Sequence, residues 1–185
     1  MINKKGLEEI LNEYGINLQE LLKLNENILE KGEPKKIREI LKYLVNILEI
    51  EPKNIEKCPS ILYFGEINDI KANWDFLKSN KINIDEVETC LHILSTQHKE
   101  LRKTYEFVEQ NYGIEVLDDN TSILRIEVDR IQGIEERFKD ILSNKAIVQA
   151  AISLKSLLEL KKIIEICKEN GIMQKELYLK ETQKK

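Results

Sequence analysis

Phe76-Leu77-Lys78-Ser79-Asn80-Lys81-Ile82 reads as the end of a helix, a polar turn and a return into a core. The Phe-Leu pair closes an apolar stripe. Asn or Gly in such a turn accepts the left-handed conformation that ends helices, and the isoleucine turns inward again. The same shape stands at Ile10-Leu11-Asn12-Glu13-Tyr14-Gly15-Ile16, at Phe107-Val108-Glu109-Gln110-Asn111-Tyr112-Gly113-Ile114 and at Ile166-Cys167-Lys168-Glu169-Asn170-Gly171-Ile172. Self-similarity at a fixed distance is the mark of a repeat architecture.

Two columns of residues give the period. Ile16, Ile50, Ile82 and Ile114 follow one another at 34, 32 and 32 residues, and Ile172 lies 58 further on. The pairs Ile28-Leu29, Ile61-Leu62, Ile93-Leu94 and Ile123-Leu124 recur at 33, 32 and 30, with Leu157-Leu158 in line as a fifth. Within a period, Ile37, Ile40, Leu41, Leu44, Ile47 and Leu48 recur at three and four, as do Leu7, Ile10, Leu11 and Tyr14, which is helical spacing. Each unit therefore reads as a first helix, a tight turn and a shorter second helix carrying the Ile-Leu pair. Helix starts are expected at Asp69, Asp85 and Thr96, and at Pro34 and Pro52 as first-turn prolines. Helices this short are marginal alone, so neighbouring units must share one core.

Composition points the same way. Of 185 residues, 42% are apolar and 34% charged, with only 7 Gly and 3 Pro, too few for the many turns of a sandwich or barrel. The expected fold is all-α, a single helical-repeat domain over residues 1–177 with a frayed polar tail at 178–185. The richest apolar stretch, Ile40 to Ile50, is interrupted by Lys42 and Asn46 and is too short to span a membrane. Met1-Ile2-Asn3-Lys4-Lys5 lacks a secretory pattern, which predicts a cytoplasmic protein. Abundant Lys, Ile, Asn and Glu resemble the usage of AT-rich bacterial genomes. Cys58, Cys90 and Cys167 are odd in number and far apart, which suits buried thiols in a reducing compartment.

Cys58-Pro59-Ser60-Ile61-Leu62, followed by Trp74-Asp75-Phe76-Leu77 and by Ile82 with Asp85-Glu86-Val87, resembles a repeat of the mitochondrial transcription termination factor (mTERF) family. Units of that family share a Pro-x-x-Leu segment, a Phe-Leu helix end and a short turn. The resemblance spans about Leu7 to Leu177 as five or six units, although Leu91 and Thr121 replace the proline in the next two. It implies a solenoid, a half-superhelix of helix pairs, that binds nucleic acid through a basic concave surface.

A repeated cation in such a scaffold would form a ladder along a phosphate backbone. Five residues before the helix-end anchors Ile10, Tyr43, Phe76, Phe107 and Ile166 stand Lys5, Arg38, Lys71, Arg102 and Lys161, with a gap at Gly133. The candidate phosphate-gripping residues are Arg38, Lys71, Arg102, Lys103, Lys161 and Lys162. Cations early in a helix oppose its dipole at a cost of about 0.3–1 kcal/mol, which a binding role would offset. The other reading is a solvated helix face, since Lys and Arg together number 29. Charge is unevenly spread: residues 61–120 carry 6 basic and 12 acidic side chains, and residues 121–185 carry 13 and 10. The acidic middle makes a basic partner protein the alternative ligand.

Catalysis and metal binding find little support. His92 and His98 are the only histidines, and Cys90 and His92 face about 200° apart around a helix. Cys58 and Cys90 share one repeat column, which marks packing. The pairs Glu8-Glu9 and Glu135-Glu136 diverge on a helix, and the glycines are dispersed rather than clustered around a phosphate. Trp74, Phe76, Tyr105 and Phe107 sit at core spacing. No enzyme, cofactor or metal is expected. The expectation is a binding protein whose ligand is nucleic acid or a basic protein.

Overall fold

The computed structural model describes residues 4–118, 120–138 and 143–153. Their regular structure is helical, and no strand forms among them. One order of elements returns along the chain: a long helix, a short helix and a single helical turn. First come α1 (Lys4–Asn12), α2 (Leu18–Leu24) and α3 (Asn27–Lys31), then α4 (Pro34–Asn46), α5 (Pro52–Lys57) and α6 (Ile61–Phe64). Next are α7 (Ile67–Ser79), α8 (Ile84–Thr89) and a 3-10 turn at Leu91–Ile93, then α9 (His98–Tyr112) with 3-10 turns at Ile114–Leu117 and Thr121–Arg125. Then α10 (Val128–Phe138) and α11 (Asn144–Ser153) follow. The Ile-Leu pairs thus belong to a third element, where the sequence suggested a second helix. The fifth pair Leu157-Leu158, the segment Ile166–Ile172, Cys167 and the tail 178–185 lie outside the described residues.

The chain divides into two compact units, Met1–Leu101 and Arg102–Lys185, with the boundary inside α9. In the first unit, α1 packs on α2 and α4, α4 on α6 and α7, α2 on α5 and α3 on α6. In the second, α11 packs on α10 and on the Thr121–Arg125 turn.

Burial follows the period. Ile37, Ile70, Leu101 and Ile131 are fully buried at one place in their helices, and Leu11, Leu44, Leu77 and Val108 at another. Of the helix-end anchors, Ile10 and Tyr43 are buried as expected, whereas Phe76 and Phe107 are half-buried, with edge contacts to His98 and Tyr112. Each fully buried aliphatic contributes about 1.5–3 kcal/mol relative to exposure.

The turns after the long helices share a device. Gly15, Glu49, Lys81 and Gly113 all have positive φ, each directly before Ile16, Ile50, Ile82 or Ile114. At the first three, the isoleucine N–H bonds back to Leu11, Leu44 or Leu77 over 2.9–3.1 Å and the side chain is buried. Asn80 does not take the left-handed conformation the sequence offered it. Its side chain donates to the Phe76 carbonyl at 2.8 Å, as Asn111 does to Phe107. The fourth turn differs. Gly113, at φ 86° and ψ 155°, occupies a region open essentially to glycine alone, a 3-10 turn starts at once, and Ile114 is 39% exposed.

Junctions into the next long helix are made in two ways. Gly32 and Gly65 close α3 and α6; a Cβ on Gly65 would lie 2.7 Å from the Ile61 carbonyl and 2.8 Å from Ile70 Cδ1. Further on, a buried polar side chain holds the junction. Asn73, fully buried in α7, donates to the carbonyls of Leu94 and Thr96 at 3.0 and 2.6 Å, and Thr104 in α9 donates to Ile126 at 2.9 Å. With its amide nitrogen so engaged, Asn73 Oδ1 accepts from His98 Nδ1 at 2.9 Å.

Pro34 and Pro52 open α4 and α5 as expected. The other starts shift. α7 is preceded by Glu66, so Asp69 falls in its first turn and accepts the His98 N–H at 3.1 Å. Asn83 rather than Asp85 caps α8, accepting Asp85 N–H at 3.1 Å, and Gln97 rather than Thr96 precedes α9.

Candidate nucleic-acid interface

α4 carries four of the chain's cations against a single acid, Glu39. Its buried stripe of Ile37, Ile40, Leu41 and Leu44 leaves Lys35, Arg38 and Lys42, spaced by three and four, exposed together on the opposite face. Lys36 points elsewhere and pairs with Glu66 at 2.6 Å.

Arg38 forms an ion pair with Glu13, just beyond α1, and its carbonyl accepts the Tyr14 hydroxyl at 3.5 Å. Both partners of the ion pair are about half exposed, so the pair contributes at most about 1 kcal/mol and yields readily to a competing anion. Lys71 leans from α7 onto α4, its ammonium 5.5 Å from the centre of the Tyr43 ring. Such a contact is worth about 0.5–1 kcal/mol at an exposed site. Burial, reinforced by Asp75, raises the Tyr43 phenol above its usual pKa, so the ring beneath Lys71 stays neutral. Arg38 and Lys71 therefore lie on two helices that pack together in the first compact unit.

Arg102 and Lys103 belong to the second unit, exposed on α9, where Arg102 lies 3.4 Å from Glu106 one turn on. Gln132 follows the buried Ile131 at the place in α10 that Arg102 holds after Leu101, so no cation stands there. Lys161 and Lys162 lie outside the described residues. Lys35 and Lys42 were missed by looking for columns between repeats; the signal was their spacing along one helix.

Other constellations gather less. A shallow open depression of about 470 Å³ beside the α1–α2 turn is lined by Glu8, Asn12, Gly15, Ile16, Asn17, Leu18 and Gln19, with one carboxylate and no nucleophile. Among the described residues no group of three or more His, Cys, Asp or Glu could hold a metal ion, and no helix is long and apolar enough to cross a membrane. His92 meets Cys58, 34 residues earlier, with Nδ1 3.1 Å from Sγ. A search of family models, of curated proteins and of solved structures finds no match to this chain.

Proposed function

We propose that this chain is a non-enzymatic nucleic-acid-binding protein, a solenoid of mTERF-like units that holds phosphates with exposed cations of its long helices. The observation that carries the reading is the basic face of α4, where Lys35, Arg38 and Lys42 stand together and Lys71 joins them from the packed helix α7. Cations spaced along one helix face suit a chain of phosphates better than one small anion, and they bind without reading bases. Arg102 and Lys103, exposed on α9, are separate phosphate contacts of the second unit.

Fluorescence anisotropy with labelled single-stranded RNA and duplex DNA tests this. Affinity should be measurable at low ionic strength and fall steeply with salt, the log-log slope shrinking by about one for each phosphate-bound cation removed. Reversing Lys35, Arg38, Lys42 and Lys71 together to Glu should abolish binding. Absence of binding at low salt, or indifference to those four changes, would reject the reading.

A second reading, a scaffold that binds a basic protein, is favoured by a different observation. Leu24, Ile47 and Phe64 are large apolar side chains of the first unit exposed at 58–61%, and Phe64 already carries the Lys31 ammonium 5.2 Å over its ring. An aromatic that receives one cation can receive another. Under that reading, capture of a defined basic protein survives nuclease treatment and is lost in Phe64→Ala.

A further inference from the structure

Cys58 ends α5 with its N–H bonded to the Ile55 carbonyl at 3.0 Å, and the residue is only 3% exposed. His92 sits half-buried in the 3-10 turn Leu91–Ile93 and brings Nδ1 to 3.1 Å from Cys58 Sγ. Sulfur is larger than oxygen, so this is a close approach, and at it the thiol can donate to the unprotonated ring nitrogen. The reactive form of cysteine is the thiolate, and a neighbouring imidazolium is an environment that favours it. Charged residues next in sequence are engaged elsewhere: Glu56 accepts the Asn17 N–H at 2.7 Å, and Lys57 Nζ lies 3.5 Å from Asn54 Oδ1.

The molecule contains its own reference thiol. Cys90 stands 32 residues on, also just ahead of a one-turn element, with φ −126° and ψ 58° against −127° and 55° at Cys58. Cys90 is the more exposed of the two. The residue two places after the next such position, Asn120, is Ser122, so the following turn has no counterpart of the His92 imidazole. Exposure alone would make Cys90 the faster thiol, whereas a proton-sharing partner would favour Cys58.

We infer that Cys58 and His92 form a thiol-modification site that reacts with small peroxides. Burial excludes bulky disulfides and admits a small uncharged oxidant such as hydrogen peroxide. The Cys58 proton passes to His92 Nδ1, and the thiolate attacks one peroxide oxygen. An S–O bond forms as the O–O bond breaks, and the departing hydroxide takes the proton from His92 to leave as water. Cys58 is oxidised by two electrons to the sulfenic acid and the peroxide is reduced; a second thiol would restore the cysteine.

The full chain is treated with hydrogen peroxide at neutral pH, the excess peroxide is removed, the chain is unfolded in urea with dimedone present, and adducts are mapped by mass spectrometry at Cys58, Cys90 and Cys167. The adduct at Cys58 is expected to form about tenfold or more faster than at Cys90, because the thiolate is the attacking form and only Cys58 has an imidazole to take its proton. His92→Gln should remove that advantage and leave Cys90 unchanged. Equal or slower oxidation of Cys58, oxidation that needs urea during the peroxide step, or an unaltered ratio in His92→Gln would overturn the assignment. Should His92→Gln lose its helical circular dichroism, His92→Asn and the wild-type ratio of Cys58 to Cys90 decide the matter.

Discussion

The junctions at Gly32 and Gly65 and those held by Asn73 and Thr104 solve one problem with opposite chemistry. In each, the chain leaves a one-turn element and must enter a long helix without stranding backbone carbonyls. At Gly65 the backbone comes so close to Ile70 that a methyl group does not fit, and the residue of the preceding long helix behind it is the buried Ile40. At the later junctions the glycine is gone. The place of Ile40 is taken by Asn73 or Thr104, which hydrogen-bonds the carbonyls that close backbone packing no longer covers. A small backbone goes with an apolar neighbour, and a fuller backbone with a polar one, because a buried polar group is stable only where its partners are in place.

The sharpest way to break this pairing is Asn73→Leu, which strands the Leu94 and Thr96 carbonyls and the ring Nδ1 of His98. A loss of about 3 kcal/mol or more is expected, read as a lower urea midpoint with an unchanged slope. Gly65→Ala comes next. Its φ of −66° suits alanine, so the effect is steric, an overpacking cost of about 1–3 kcal/mol by the same measurement. Thr104→Val keeps the volume, removes one bond to Ile126 and should cost about 1 kcal/mol; a larger loss would mean that this junction is more than a single hydrogen bond. The smallest change has the opposite sign. Lys81 holds φ 57° where its counterpart at the first turn is glycine, so Lys81→Gly should be neutral or raise stability by about 0.5 kcal/mol in thermal melts.

The periodic apolar columns were legible because helical burial leaves a spacing of three and four, and the all-helical fold follows from them. Elements of three to five residues leave no such trace, so the one-turn segments carrying Ile28, Ile61, Ile93 and Ile123 merged with the helix before them. Ile114 was grouped with Ile82 on its spacing and on the residues of the turn before it. Its turn is built on a different glycine conformation, a property of ψ that residue identity does not reveal. The exposure of Arg38, Lys71 and Arg102 follows from helical spacing, each coming directly after a buried residue. Their partners were less legible: Glu13 lies 25 residues from Arg38, and Tyr43 lies 28 from Lys71. For the same reason His92 was weighed against its neighbour Cys90, and Cys58 against Cys90 one repeat on, although Cys58 and His92 are themselves about one repeat apart.

One outcome of the packing concerns how the chain acquires it. In the first compact unit α1 meets α2 and α4, α4 meets α6 and α7, and α2 meets α5, so partners come from the same period or the next. Closing short loops costs little entropy, and domains of low contact order collapse in microseconds to milliseconds. Nucleation is then open to α1 with α4 or to α4 with α7, and an emerging polypeptide can begin to fold before its later segments have been synthesised.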